Sequence, residues 1–306
     1  MAALPSPREI VIAHMIEAVP ERCDEILALW ERYDPEVIIV QDAKHITLNA
    51  TKDRIKFDAK TMDVFWLIGF SGWRAIECYS PHVIVSAVSG QTIKTIIQDD
   101  EGLAEVELAY KERCAAAQTL IDAADPATAP WPPDLPRPNA SRDATSDPEY
   151  KATFDLTCLA VAFTLFHEFR HVMLDRDDQN PQDLREEELA CDVWARQFMT
   201  AKLAVYAQDH GHDYLEVLRK RSMGFAFAAL ILHEITPVWD HGGNAAYFSV
   251  ATRLHAILDN TRLPDDDYFW VLAASLLIGM FRQRGQAITA QPMHACPLTK
   301  NLLAEL

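Results

Sequence analysis

His167-Glu168-Phe169-Arg170-His171 is the segment of this chain whose residue types and spacing can do chemistry. On a helix, positions i and i+4 share one face a turn apart, so both imidazoles can reach a single metal ion. Glu168 then lies beside the first ligand, where its carboxylate can take a proton from a water that the metal activates. With 11 histidines in 306 residues, chance supplies on the order of 0.02 such pentapeptides. The run before it, Leu156 to Phe166, has no charged residue and is apolar nearly all round, which marks a buried helix. Two histidines and a glutamate at the end of such a helix are costly unless something satisfies them. A metal does so; an ordinary salt-bridged core is the plain alternative.

A zinc site needs a third protein ligand, with the fourth position left for water. Downstream runs Asp183-Leu-Arg-Glu-Glu-Glu-Leu-Ala-Cys-Asp192, after Asn180 and Pro181, which read as N-cap and first helical residue. Of Glu186, Glu187 and Glu188, only Glu188 has a second acid, Asp192, at i+4 on its own face. A ligating histidine usually gives its other N–H to a carboxylate that fixes its tautomer. Glu188 is therefore the expected third ligand, with one zinc per chain, and Asp192 the expected partner of His167. Cys191 is a competing ligand, and the acids before it also suit a solvated loop and the first turn of a helix.

Other polar clusters read differently. Asp209-His-Gly-His-Asp213 is an exposed turn before it is a second metal site, and His233-Glu234 has Pro237 where a second histidine would stand. The glycine-bearing loop Trp239–Tyr247 offers His241 or Tyr247 to steady the oxyanion that forms when water attacks a carbonyl. Each also reads as a structural polar residue.

The elements that must position these groups are mostly helices. Apolar spacing predicts one or two helices in the first 34 residues. Three short β-branched runs follow, at 36–40, 45–50 and 54–58, separated by turn-compatible Asp42–Lys44 and Thr51–Asp53. Residues 62–78 read as a buried helix broken near Gly69 or Gly72, 82–88 as a strand or a helix start, and 103–121 as a helix. Seven of the 17 prolines fall between Pro126 and Pro148, which forbids helix and central strand there. That segment is a solvated linker, or, given Trp131 and Leu135, a strap packed on the body. From Glu149 the chain reads as helical almost to its end. The expected fold is α+β, mostly helical: residues 1–125 with a small sheet, 126–148 as linker or strap, and 149–306 as a helical core, separate or continuous with the first part.

Composition limits the partners. Forty-five acids against 28 Lys and Arg, net charge −17, leave little to build a basic face for nucleic acid or an anionic membrane. The longest uncharged apolar stretch, Tyr268 to Phe281, is 14 residues, short of the roughly 20 that a membrane span needs. MAALPSPRE does not read as a signal peptide. Six cysteines without a CxxC pair read as reduced thiols, and the expected location is the cytoplasm.

HEFRH followed by E-x-x-x-D resembles the gluzincin metallopeptidases over roughly residues 156–200, and among them the Lit-type phage-exclusion peptidases. The segments 65–80, 131–138 and 187–199 are also similar to that family. The resemblance implies a zinc-dependent endopeptidase with His167, His171 and Glu188 as ligands and Glu168 as base. It further implies cleavage of a cellular protein, in the known case a translation elongation factor, in response to phage infection. The ImmA/IrrE-type regulatory peptidases are similar in their HExxH, but many carry a helix-turn-helix, and no such basic helix is seen here. Related metallopeptidases often have T-H-P before R-L late in the chain, where this one reads Phe248-Ser-Val-Ala-Thr-Arg-Leu-His255. A non-catalytic zinc sensor and a purely helical interaction protein are the readings from other classes.

Overall fold

The computed structural model describes residues 5–40, 46–138, 141–258 and 261–306. Its elements run α1 (Pro7–Ala18), α2 (Cys23–Tyr33), β1 (Glu36–Val40), β2 (Leu48–Thr51), β3 (Arg54–Asp58), α3 (Ala59–Ser89), α4 (Ile93–Asp99) and α5 (Leu103–Asp122). After the proline-rich segment come α6 (Pro148–Arg176), α7 (Leu184–Thr200), α8 (Leu203–His210), α9 (Tyr214–Ile235), α10 (Val250–Leu258), α11 (Phe269–Gln283) and α12 (Ala295–Glu305). The architecture is α+β and mostly helical, with a small sheet near the N-terminus. In the sheet β3 is central, parallel to β1 (Val37 opposite Ile55) and antiparallel to β2 (Ala50 opposite Ile55). Period-two alternation explains the central place of β3: Ile55 and Phe57 are buried, while Arg54 is exposed. The expected strand at 45–50 is observed as Leu48–Thr51; its first residue, His45, and the turn at Asp42–Lys44 lie outside the described residues, as do Met1–Leu4 and Asn139–Ala140.

Helix α6 is the axis of the molecule. Asp147 caps it, accepting from the Glu149 N–H, and Pro148 takes the first turn, where its missing N–H costs nothing. Aromatic contacts ring it: Trp30 of α2 meets Phe169, Phe225 of α9 meets Phe163, and Phe198 of α7 meets Phe166. By length and composition α6 is apolar enough to cross a membrane, an outcome the 14-residue limit at 268–281 did not anticipate, because a span tolerates a few charged residues. In this fold 67% of its most apolar window is buried within the protein.

Two expectations are corrected. Helix α3 is unbroken: Gly69 and Gly72 lie within its 31 residues, and the ambiguous 82–88 run continues it past Pro81. The glycines serve packing rather than breakage, since a Cβ on Gly69 would come within 2.5 Å of Thr157 on α6. Likewise α7 starts at Leu184 with Asp183 as N-cap, its carboxylate accepting from the Arg185 N–H, rather than at Asn180–Pro181.

Residues 134–136 of the proline-rich segment pack on the body. Leu135 is buried, Trp66 of α3 donates its indole N–H to the Pro136 carbonyl at 2.8 Å, and Arg113 of α5 pairs with Asp134 at 2.6 Å. One hydrophobic cluster runs from Val11 to Leu303 and includes Leu135.

Helix α9 approaches α6 so closely that a Cβ on Gly224 would sit 2.5 Å from Leu159 Cβ. Gly224→Ala is therefore expected to destabilise the fold by about 2 kcal/mol through overpacking. Gly102→Ala, with nothing nearer than 3.4 Å and an ordinary φ, serves as the control and should change stability by less than about 0.5 kcal/mol. Denaturant unfolding of the two variants checks this, and equal midpoints would refute the packing argument.

Candidate active site

Helical spacing on α6 and α7 brings the reactive side chains together. His167 and His171 lie one turn apart on α6, and their Nε2 atoms face each other at 3.2 Å. Glu188, from the second turn of α7, closes the triangle: its oxygens stand 3.3 Å from His167 Nε2 and 3.4 Å from His171 Nε2. Each imidazole is held from behind by a carboxylate. His167 Nδ1 lies 2.8 Å from Asp192 Oδ1, and His171 Nδ1 lies 2.6 Å from Glu187 Oε1.

These partners determine the tautomers. A carboxylate accepts, so each Nδ1 carries the proton and each Nε2 presents a lone pair. Two imidazole nitrogens and a carboxylate then converge on one point, which needs a cation between them or, without one, a proton on His167. Burial works against a charged His167, yet Asp192 and then Glu188 outweigh it and push the imidazole up to about 10. Glu188 is held well below the usual carboxylate range by His167 and His171 despite its burial. The donors also have the right separation: a tetrahedral ion with bonds of about 2.0–2.1 Å needs ligand atoms about 3.3–3.4 Å apart. His167, His171 and Glu188 thus form a fitting three-residue metal site, the one such group among the described residues.

Sequence reasoning missed two residues of this arrangement. Glu187 was set aside for lacking an acid at i+4, although two histidines call for two carboxylate partners and the acidic run contains one for each. Arg253 on α10 is buried and forms a fork with Asp192, Nε to Oδ2 at 2.8 Å and Nη2 to Oδ1 at 3.0 Å, with Nη1 3.5 Å from Glu188. It comes from the stretch 248–255, and no local spacing points to it. Cys191 is buried and forms no part of the metal-ligand group.

The site opens into a cleft of about 540 Å³. Glu168 lines it; burial holds its carboxyl above the ordinary range, with His167 and His171 pulling the other way. One wall is the edge strand β2, through Leu48, Asn49 and Ala50; the floor is apolar, with Phe163, Ile231 and Leu232. Tyr247 also lines the cleft, its hydroxyl kept protonated by burial and by the charge of Glu188. His241 is not among the cleft residues: its Nε2 bonds the Thr236 carbonyl at 3.0 Å and its ring packs on His233. A larger hollow of about 690 Å³ is lined by His14, Glu17, Asp155, Glu216 and Lys220, among other residues, and there Asp155 is paired with Arg142 and Lys220. The three-residue candidate metal group lines the smaller cleft instead. The exposed His210 and His212 stack on each other rather than joining a metal-ligand set.

Neither a curated protein nor a solved structure matches the chain. The sequence profile of the peptidase U49 family matches residues 55–273, a stretch that begins in β3 and includes α6, α7, Tyr247 and Arg253. His167, Glu168, His171 and Glu188 fall inside that match, as does the cleft lining apart from Ile46, Leu48, Asn49 and Ala50, and this chain belongs to the peptidase U49 family.

Proposed function

We propose that this peptidase is a zinc-dependent endopeptidase, with His167, His171 and Glu188 as ligands and Glu168 as the proton carrier. The observation that carries this reading is the convergence of three lone-pair donors 3.2–3.4 Å apart beside a buried carboxylate, at the foot of an open cleft. Zinc held by such a set supplies a Lewis acid and a water that ionises near neutral pH. Glu168 accepts the proton that the attacking water loses and returns it to the leaving amine. Tyr247 can donate its hydroxyl to the scissile carbonyl oxygen as negative charge builds there. Asp192 and Glu187 fix both imidazoles with Nε2 toward the ion, and Arg253 keeps Asp192 ionised and in place.

The cleft favours extended polypeptide. β2 pairs with β3 on one side only among the described residues, so its other edge is free to add a substrate strand by backbone hydrogen bonds. The apolar floor suits a bulky apolar side chain next to the cleaved bond. The resemblance to the Lit-type peptidases supports an extension of the proposal: a cellular protein, of the class of translation factors, cut in the cytoplasm during phage infection. Six free cysteines, four of them buried, agree with a reducing compartment.

The test compares newly formed protein N-termini in cells expressing wild type or Glu168→Gln, with and without phage challenge. A terminus that depends on Glu168 supports the reading and names the substrate. A phenotype shared by Glu168→Gln without any new terminus overturns it in favour of a zinc-bearing switch. Removal of the metal gives a second prediction. Treatment with a strong chelator should lower cleavage to background, and stoichiometric zinc should restore it; cleavage that survives with no measurable metal refutes zinc dependence.

A further inference from the structure

The loop at 237–249 carries an apolar surface that the chemistry above does not use. Trp239 is 83% exposed and Val238 is 69% exposed, in a short turn at Val238–Asp240. Trp239 is the most exposed large aromatic among the described residues. An exposed indole on a loose loop carries no information, but this loop is tightly built. Asn244 donates its N–H to the Tyr247 carbonyl, its side chain accepts from the N–H groups of Ala246 and Tyr247, and Val250 N–H reaches the His241 carbonyl. Gly243, at φ 87°, lies so close to the returning chain that a Cβ would sit 2.8 Å from Ser249 N. The indole is therefore held in water by an ordered backbone, which is the preorganisation that a binding surface needs.

The same loop is a wall of the cleft, through Pro237, Asp240 and Tyr247. Leu184 at the start of α7, which also lines the cleft, is 58% exposed, and its neighbour Arg185 lies over the Phe248 ring at 5.3 Å, tying α7 to the loop. The apolar rim is thus continuous with the surface that receives the scissile chain. An exposed Trp beside a functional groove is the residue type that dominates protein interfaces.

We infer that Val238 and Trp239 form a docking site for an apolar segment of the same polypeptide that lies in the cleft, outside the residues flanking the cleaved bond. This rests on the endopeptidase reading and adds to it how a protein substrate is told from a short peptide. The contact strengthens binding of the intact protein and leaves the chemistry at Glu168 unchanged.

The test uses the full-length enzyme on two substrates: the intact protein identified by its new N-terminus, and a decapeptide spanning its cleaved bond. Trp239→Ala should lower kcat/KM for the intact protein by about tenfold, through KM, which corresponds to about 1.4 kcal/mol of lost binding. Its kcat/KM for the decapeptide should stay within about twofold of wild type, and Trp239→Phe should recover most of the loss. Equal losses on both substrates, or no loss on either, overturn the docking site alone. A wild type that cleaves neither substrate overturns the endopeptidase reading, and the docking site with it.

Discussion

Glu168→Gln is expected to reduce peptide-bond cleavage by about 10²–10⁴-fold while leaving the fold and the metal site intact. The amide has the size of the carboxylate but cannot accept a proton from the attacking water or return it to the leaving amine. Glu168 is not one of the three converging donors, and no ligand atom changes. The side chain is also almost fully buried beside two histidines, so removal of its charge costs the fold little or nothing. Zinc content by elemental analysis and the thermal midpoint should therefore match wild type, while cleavage of the identified substrate falls to near background. A variant that retains more than about a tenth of wild-type activity would remove Glu168 from the proton path. A variant that loses zinc would show instead that the residue belongs to the ligand set.

The second large effect lies behind the metal site. Asp192 is completely buried and is shared: its Oδ1 faces His167 Nδ1 and Arg253 Nη2, and its Oδ2 accepts from Arg253 Nε. In Asp192→Asn the shape is kept and the charge is lost. Arg253, 9% exposed, is then left with Glu188 as its remaining carboxylate and is drawn toward that ligand. Removing one partner of a buried ion pair costs about 3–5 kcal/mol, because the other charge is stranded. Loss of the carboxylate behind a ligating histidine weakens metal affinity about 10–100-fold. Asp192→Asn should thus lower the thermal midpoint of the metal-free protein by several degrees and weaken zinc in a competition titration. An unchanged zinc affinity would sink the claim that Asp192 sets the His167 tautomer. Unchanged stability of the metal-free form would sink the claim that it neutralises Arg253.

What the sequence alone determined is local and periodic. An α-helix repeats every 3.6 residues, so His167 with His171, and Glu188 with Asp192, had to share a face once the helices formed. The uncharged run before His167 marked α6 as buried, and short β-branched runs at 36–40 and 54–58 marked β1 and β3. Tertiary structure decided what lies far apart in the chain or depends on which surfaces meet. Arg253 reaches Asp192 across 61 residues, a pairing that no spacing rule encodes. Gly69 reads as a helix breaker in isolation, yet it is the place where α3 comes close enough to touch α6. His241 and Tyr247 were equivalent as residue types in one loop; the loop's own hydrogen bonds turned His241 onto the Thr236 carbonyl and left Tyr247 on the cleft. Within the proline-rich segment, composition gave no sign that Pro136 and Asp134 would serve Trp66 and Arg113, whose buried polar groups needed partners. Local propensity acts through neighbours a few residues apart, whereas burial and charge pairing are settled only when the helices pack.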